Sequence, residues 1–359
     1  MKENKSTKRS DFMNLHQTEA YMKTGLSDKR FDAYFVTVGI GGKKAFLASP
    51  HADKDTFFDA ASMGKVLVTS TLILQACGEG KLSTDDTLEK FFSDVPEEKK
   101  GITVKQLLTH TSGIVRKDFS REIADRGCDA MAAFILSVPL AFAPGSSYQY
   151  SCSGYILLGF ILEKLYKMPL DELFYTRLKP QLGLTRTRFN IAVDEPNAVD
   201  CFNREHVGEY RVDDGIVYAM RGIGGNGASF WTAADIERFV KAVLEKSPAL
   251  YPEKYFALAE HDYTPNYEEG RGLGYQMVDA RYEQTGKLFP DGSFGHCGHT
   301  GTSFFINREK NLYVIILTNA TRCLNRKGGF HGYDYSVVMK MREDIHNAIA
   351  QDLAAQGLL

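Results

Sequence analysis

With 359 residues, 43% of them apolar and 25% charged, the chain has the composition of an ordinary folded protein of about two domains, which excludes disordered, collagen-like and coiled-coil classes. Forty-three basic side chains against forty-five acidic ones leave a net charge of −2, too weak a field to hold nucleic acid or an anionic membrane, and no apolar run reaches the roughly 18 residues of a membrane span. The polar start, Met1 to Asp11, has no apolar stretch behind it, and Cys77, Cys128, Cys152, Cys201, Cys297 and Cys323 form no C-x-x-C pair, so the chain as given reads as a cytoplasmic protein with reduced thiols and no nucleic-acid partner.

In chain order, a polar tail and a helix near Met13 to Met22 occupy positions 1–25. Phe31 to Ile40 and Ala45 to Ala48 read as strands joined by Gly41-Gly42, a hairpin signal. Lys65 to Gly78 is almost wholly apolar, with no charge from Val66 onward; it reads as an interior helix, although its β-branched residues also fit a buried strand. Helices are predicted at Thr103 to Thr109, Asp129 to Ser137, Gly154 to Tyr166, Leu170 to Arg177 and Ala233 to Leu244. Strands are predicted at Gly272 to Asp279, Thr302 to Asn307 and Leu312 to Thr318, before a long final helix from Tyr335 to Ala354. Strands at both ends around a helical middle imply an α/β (α+β) fold in which the two termini build one sheet, 26–66 with 270–359, and a mainly helical region, 67–269, is inserted between them.

Three segments carry candidate chemistry. Ser62-Met63-Gly64-Lys65 is the only S-x-x-K in the chain. At the start of a helix this spacing stacks the lysine one turn above the hydroxyl, and burial would make the amine a usable general base; in isolation the motif reads as a serine cap followed by a surface lysine. Tyr150 lies in a turn-rich loop just before a helix, where a phenol beside a buried ammonium would ionise far below its usual value and relay the serine proton; alone it reads as a packing tyrosine. Gly295-His296-Cys297-Gly298-His299-Thr300-Gly301-Thr302-Ser303 is glycine-dense and precedes a strand, so a substrate can approach its backbone. Its histidines and cysteine lack a fourth zinc ligand at a recognisable spacing, and no metal is expected. Gly222 to Gly227 matches G-x-G-x-x-G without a βαβ context and reads as a loop before the helix at Thr232, binding no nucleotide.

Together these segments resemble the serine β-lactamase and penicillin-binding-protein-like superfamily, in particular class C β-lactamases with their related esterases and D-amino-acid peptidases. The resemblance runs from about Phe31 to Ala320. It is carried by Asp55 to Val66, Gly80 to Asp86, Ile102 to Gly113, Tyr150 to Gly159, Leu182-Gly183-Leu184, Gly224 to Asp235 and Leu317-Thr318-Asn319, in the family's order. It implies a β-lactamase/transpeptidase-like fold with an antiparallel sheet flanked by helices and the site at the interface with the inserted region. It further implies Ser62 as nucleophile, Lys65 as its proton partner and Tyr150 as second base. His296-Cys297-Gly298 stands for the family's Lys-Thr-Gly, with His299-Thr300-Gly301 as the alternative register. The oxyanion hole would be the N–H groups of Ser62 and His299, or Thr302 in the other register. Two departures matter: Cys152 replaces the asparagine of Tyr-x-Asn, and His296 replaces a fixed lysine charge. Cys152, His296 and Gly298 therefore become substrate-binding candidates for small esters, neutral amides or peptides. The implied function is a cofactor-free serine hydrolase of esterase or D-specific peptidase (carboxypeptidase) type; a class C β-lactamase or a non-catalytic β-lactam-binding module is the alternative.

Overall fold

A computed structural model describes residues 13–201, 210–227, 229–324 and 334–359. Strands β1 (Tyr34–Ile40) and β2 (Lys43–Ala48) form the expected hairpin, Ile40 facing Lys43 across Gly41 and Gly42, whose φ angles of 55° and 84° suit a two-residue turn. The chain then adds the short β3 (Phe58–Asp59), β4 (Arg188–Phe189), β5 (Ser229–Trp231) and β6 (Gln276–Met277), followed by β7 (Phe294–Cys297), β8 (Ser303–Asn307) and β9 (Leu312–Thr318). The main sheet is antiparallel, in the order β2-β1-β9-β8-β7-β6, so the N-terminal strand β1 lies directly against the C-terminal β9. A second sheet, β3-β5-β4, was not anticipated, because its strands are two or three residues long and leave little periodicity to read.

Alternation along β1 explains the layering. Val36 and Val38 face Met22, Ile345 and Ile349 of the terminal helices His16–Ser27 and Ser336–Ala354, whereas Phe35 faces the opposite core with Leu67, Phe239 and Leu317. The first helix lacks a cap of its own; Asp352 of the last helix accepts from Gln17 N, Thr18 N and Thr18 Oγ1 at 2.8–2.9 Å, tying the two ends together. The uncharged run folds as a helix and not as a strand, a wide π-type turn Lys65–Ser70 continuing into Thr71–Gly78. It packs against the helix Cys152–Tyr166, which Ser151 caps by accepting from Gly154 N at 3.2 Å. Gly272 to Asp279 pairs only at Gln276–Met277, and β7 lies in the glycine-dense segment, where no strand was predicted. Among the described residues no helix is long and apolar enough to cross a membrane.

One buried group gives this layer a pH dependence. His346 Nδ1 donates to Arg342 O (2.9 Å), Nε2 has no partner, and the ring stands edge-on to Phe289 and Phe305. Burial pushes its pKa down to about 3. The folded ring therefore stays neutral while the unfolded one protonates below ~6.5, so stability is complete above that pH and lost as pH falls from there toward 3. At pH 5 the expected loss is about 2 kcal/mol. Urea unfolding at pH 7 and pH 5 checks it: His346→Phe is expected to shrink the difference by that amount.

Candidate active site

Ser62 sits in the tight turn Ala61–Met63, directly ahead of the π-type turn. The preceding Ala61 has φ +48°, a conformation that L side chains rarely adopt, and it is held there by Asp59: Ala61 N donates to Asp59 Oδ1 at 2.8 Å, and Asp213 N to Asp59 Oδ2 at 2.9 Å. Asp59 is fully enclosed, and burial pushes its carboxyl up to about 6 against the pull of His299 and the two N–H donors. Strain beside Ser62 is thus maintained by two backbone bonds from different segments.

Lys65 is 0% exposed. Its Nζ lies 3.0 Å from Ser62 Oγ, 2.7 Å from Asn226 O and 3.5 Å from Cys152 Sγ, with the Tyr150 ring centroid 4.9 Å away. The helical spacing of S-x-x-K, the loop before the Cys152–Tyr166 helix and the glycine-rich segment around Asn226 therefore meet at one amine nitrogen. Asn226 O can only accept, so it takes one N–H of Lys65. The segment read as a simple loop at 222–227 thus contributes a buried backbone partner.

Tyr150 packs against His110 (ring centroids 4.5 Å apart, planes tilted by 35°) with the Arg271 guanidinium 5.4 Å from its ring. The expected ionised phenol is overturned. Burial raises the Tyr150 pKa well above 10, Cys152 adds to the rise, and the Ser62 hydroxyl and Arg271 only partly oppose it. At rest the group is a neutral phenol.

β7 delivers the third segment. Alternation turns Phe294 and His296 toward the helical side and Cys297 toward the terminal helices, where its thiol meets the Tyr282 hydroxyl at 3.1 Å. His296 lines the cleft, and burial, followed by Arg271 and Lys65, drives its pKa well below 6.5. His299 lies in the β7–β8 turn, its Nε2 3.0 Å from Asp213 Oδ2; burial works against its charge, but Asp213 and two further carboxylates outweigh it and the pKa is raised. The turn is closed by Gly298 N donating to Thr302 O (2.8 Å), stitched to the Ser62 segment by Thr300 Oγ1 donating to Asp59 O (2.9 Å), and backed by Arg342 Nη2 of the last helix donating to Gly298 O (2.7 Å).

These elements enclose a cleft of about 400 Å³ lined by Ser62, Tyr148, Tyr150, Arg271, His296 and His299, among others. Cys152 faces Lys65, and Gly298 faces Ala60, whose carbonyl would lie 2.6 Å from an added Cβ. Sequence reasoning missed His110, although its Leu-Leu-Thr-His-Thr-Ser-Gly block was matched, and missed Arg271, Glu269 and Asp213. Glu269 ties the far wall together: Oε1 accepts from Arg271 Nη2 (2.9 Å) and Gln276 Nε2 (3.0 Å), Oε2 from the Tyr148 hydroxyl (2.8 Å).

Similarity to known proteins follows the same segments. A protein of Escherichia coli (strain K12) named "Putative D-alanyl-D-alanine carboxypeptidase" is 27% identical over 303 residues, covering 75% of this chain and 70% of that one. Among solved structures, a β-lactamase/D-alanine carboxypeptidase from Pseudomonas syringae superposes with a TM-score of 0.73 at 18% identity, covering 92% of this chain and 98% of the other. The hydrolase EstCE1, described as having promiscuous acyltransferase activity, does so with 0.69 at 17%, again over 92% and 98%. At those identities the structural likeness speaks to the fold. The Beta-lactamase family model matches residues 18–325, from within the first helix to beyond β9 and through every segment that meets at Ser62, and the chain accordingly belongs to the Beta-lactamase family.

Proposed function

We propose that the chain is a serine hydrolase working through an acyl-enzyme on small esters, neutral amides or D-peptides. The observation that carries this reading is the 3.0 Å approach of a wholly buried Lys65 Nζ to Ser62 Oγ. With Asn226 O and Cys152 Sγ taking two of the nitrogen's hydrogens, the direction toward Ser62 is left for the proton in transit. Ser62 Oγ attacks the substrate carbonyl, its proton passes to Lys65, and the neutral Tyr150 phenol relays it: the hydroxyl gives its own proton to the leaving group while receiving one from Lys65. No resting phenolate is needed. The N–H groups of Ser62 and His299 hold the oxyanion, and water then attacks the acyl-enzyme to release the acid. His299 lines the cleft while Thr302 is wholly buried, which supports the register with His296-Cys297-Gly298 as the third element. The D-peptidase branch of the reading rests on the names of relatives such as the E. coli protein.

Intact-protein mass spectrometry after exposure to a fluorophosphonate tests the proposal. Wild type is expected to gain one adduct and Ser62→Ala none. A gain in both proteins would move the nucleophile elsewhere, and no gain in either would favour a non-catalytic module. Nitrocefin turnover as fast as ester cleavage would make the chain a β-lactamase first.

A further inference from the structure

His110 is wholly buried and takes no part in the proton path from Ser62, yet it holds two unfavourable features. It follows the helix Val104–Leu108, whose end closes as a Schellman motif: His110 N donates to Leu107 O (3.4 Å) and Thr111 N to Gln106 O (2.9 Å). The residue at the turn of that motif is left-handed, φ +59° here, and glycine is its usual occupant because it has no Cβ to strain. A histidine gains nothing for the helix there. Its Nε2 is also buried without a partner.

What the histidine reaches accounts for its presence. Ser151 N donates to His110 Nδ1 at 3.1 Å and Gln149 N to His110 O at 3.1 Å, so the residues on either side of Tyr150 are both bonded to it. Between them the imidazole packs against the Tyr150 ring, centroids 4.5 Å apart. Three consecutive residues are clasped from one side. A backbone N–H only donates, so Nδ1 keeps its lone pair, the ring proton sits on Nε2, and that N–H is the one left unpaired. Burial, together with the charges of Arg271 and Lys65, likewise keeps the ring neutral. The strained position and the orphaned N–H both follow from presenting this ring to that loop.

Tyr150 has need of such a clasp. Residues 148–151 belong to no helix or strand, so no ladder of backbone bonds aims the phenol. Resting on the serine-hydrolase reading, we propose that His110 is a positioning residue that grips residues 149–151 and aims the Tyr150 hydroxyl at the leaving group. It thereby governs the cleavage of esters whose leaving group must be protonated, and not of those whose leaving group departs as a stable anion.

Aryl acetates separate this role from general damage. 4-Nitrophenolate leaves without a proton, whereas the leaving group of phenyl acetate, a phenol with a pKa of about 10 like that of tyrosine, gains from one. His110→Gly keeps the residue that the helix end prefers and removes the side-chain grip. The ratio of kcat/KM for 4-nitrophenyl acetate to that for phenyl acetate is expected to rise about tenfold or more over wild type in this variant, as in Tyr150→Phe. In the Tyr150→Phe background, where no hydroxyl remains to be aimed, His110→Gly is expected to change the ratio by less than about twofold. His110→Asn tolerates the left-handed turn and offers Oδ1 to Ser151 N, and its ratio is expected to lie between those of His110→Gly and wild type. The proposal is overturned if His110→Gly slows both esters alike, if it shifts the ratio as much without the Tyr150 hydroxyl as with it, or if His110→Asn comes no closer to wild type. Should His110→Gly not fold, seen as loss of fluorophosphonate labelling, His110→Asn carries the same comparison in both backgrounds. An unshifted ratio in Tyr150→Phe removes the relay, and wild type that hydrolyses neither ester removes the hydrolase reading; either takes this proposal with it, and both differ from a failure confined to His110.

Discussion

Lys65→Met is expected to lower kcat/KM toward an activated ester by about 10²–10⁴-fold, the range of a lost general acid–base group, with little change in stability. The two readouts separate because the lysine has little structural work that methionine cannot do. Its stem lies in a fully buried apolar helix, which a methionine of similar length fills. Methionine leaves no polar head to keep buried, and the cost is an Asn226 carbonyl left without its donor, on the order of 1–3 kcal/mol. Unfolding free energy is thus expected to stay within about 2 kcal/mol of wild type. Steady-state ester hydrolysis alongside urea unfolding checks both halves. An inactive variant that is also unfolded would assign Lys65 to the core, and a stable variant with near-normal turnover would remove it from the proton path.

The parts of this site that were legible in the sequence are those encoded over short range. The three-residue spacing of Ser62 and Lys65 becomes a 3.0 Å contact once the uncharged run behind it folds as a helix. Strand β9 and the helix Ala233–Leu244 occur at their predicted limits, because each has a clear period and a clear stop. What was hidden depends on distant segments. Asp213 meets His299 across 86 positions and Lys65 meets Asn226 across 161, so no spacing rule announces either. The Tyr150 phenol was misjudged because Lys65 was weighed and burial was not, and burial is the larger effect. β7 was not read as a strand because Gly295 and Gly298 flank its histidine. Their absence of side chains serves close packing instead: a Cβ on Gly295 would fall 1.9 Å from Phe304 O in the neighbouring strand.

Gly298→Ala is expected to reduce kcat/KM by at least ~10²-fold, the penalty of an ångström-scale misplacement of reacting groups, although the residue offers no side chain to the chemistry. An added Cβ would lie 2.2 Å from Thr302 Oγ1 and 2.6 Å from the Ala60 carbonyl, and backbone cannot swing away as a flexible side chain would. Ala60 stands two residues before Ser62, and the same carbonyl accepts from Met63 N at 3.0 Å, so displacing it moves the nucleophile turn as a unit. The β7–β8 turn is pinned from behind by Arg342 on Gly298 O and from the side by Thr300 on Asp59 O, so it cannot retreat either. The separation between the Ser62 and His299 N–H groups must therefore open, and an oxyanion hole works only when both donors stay aimed at one point. Overpacking itself costs about 1–3 kcal/mol, so the variant still folds. Gly101→Ala, where an added Cβ meets nothing within 4 Å, serves as the control for handling and expression. Normal turnover by Gly298→Ala would mean that the turn and the serine move independently, and that the stitching between them does not position the oxyanion donors.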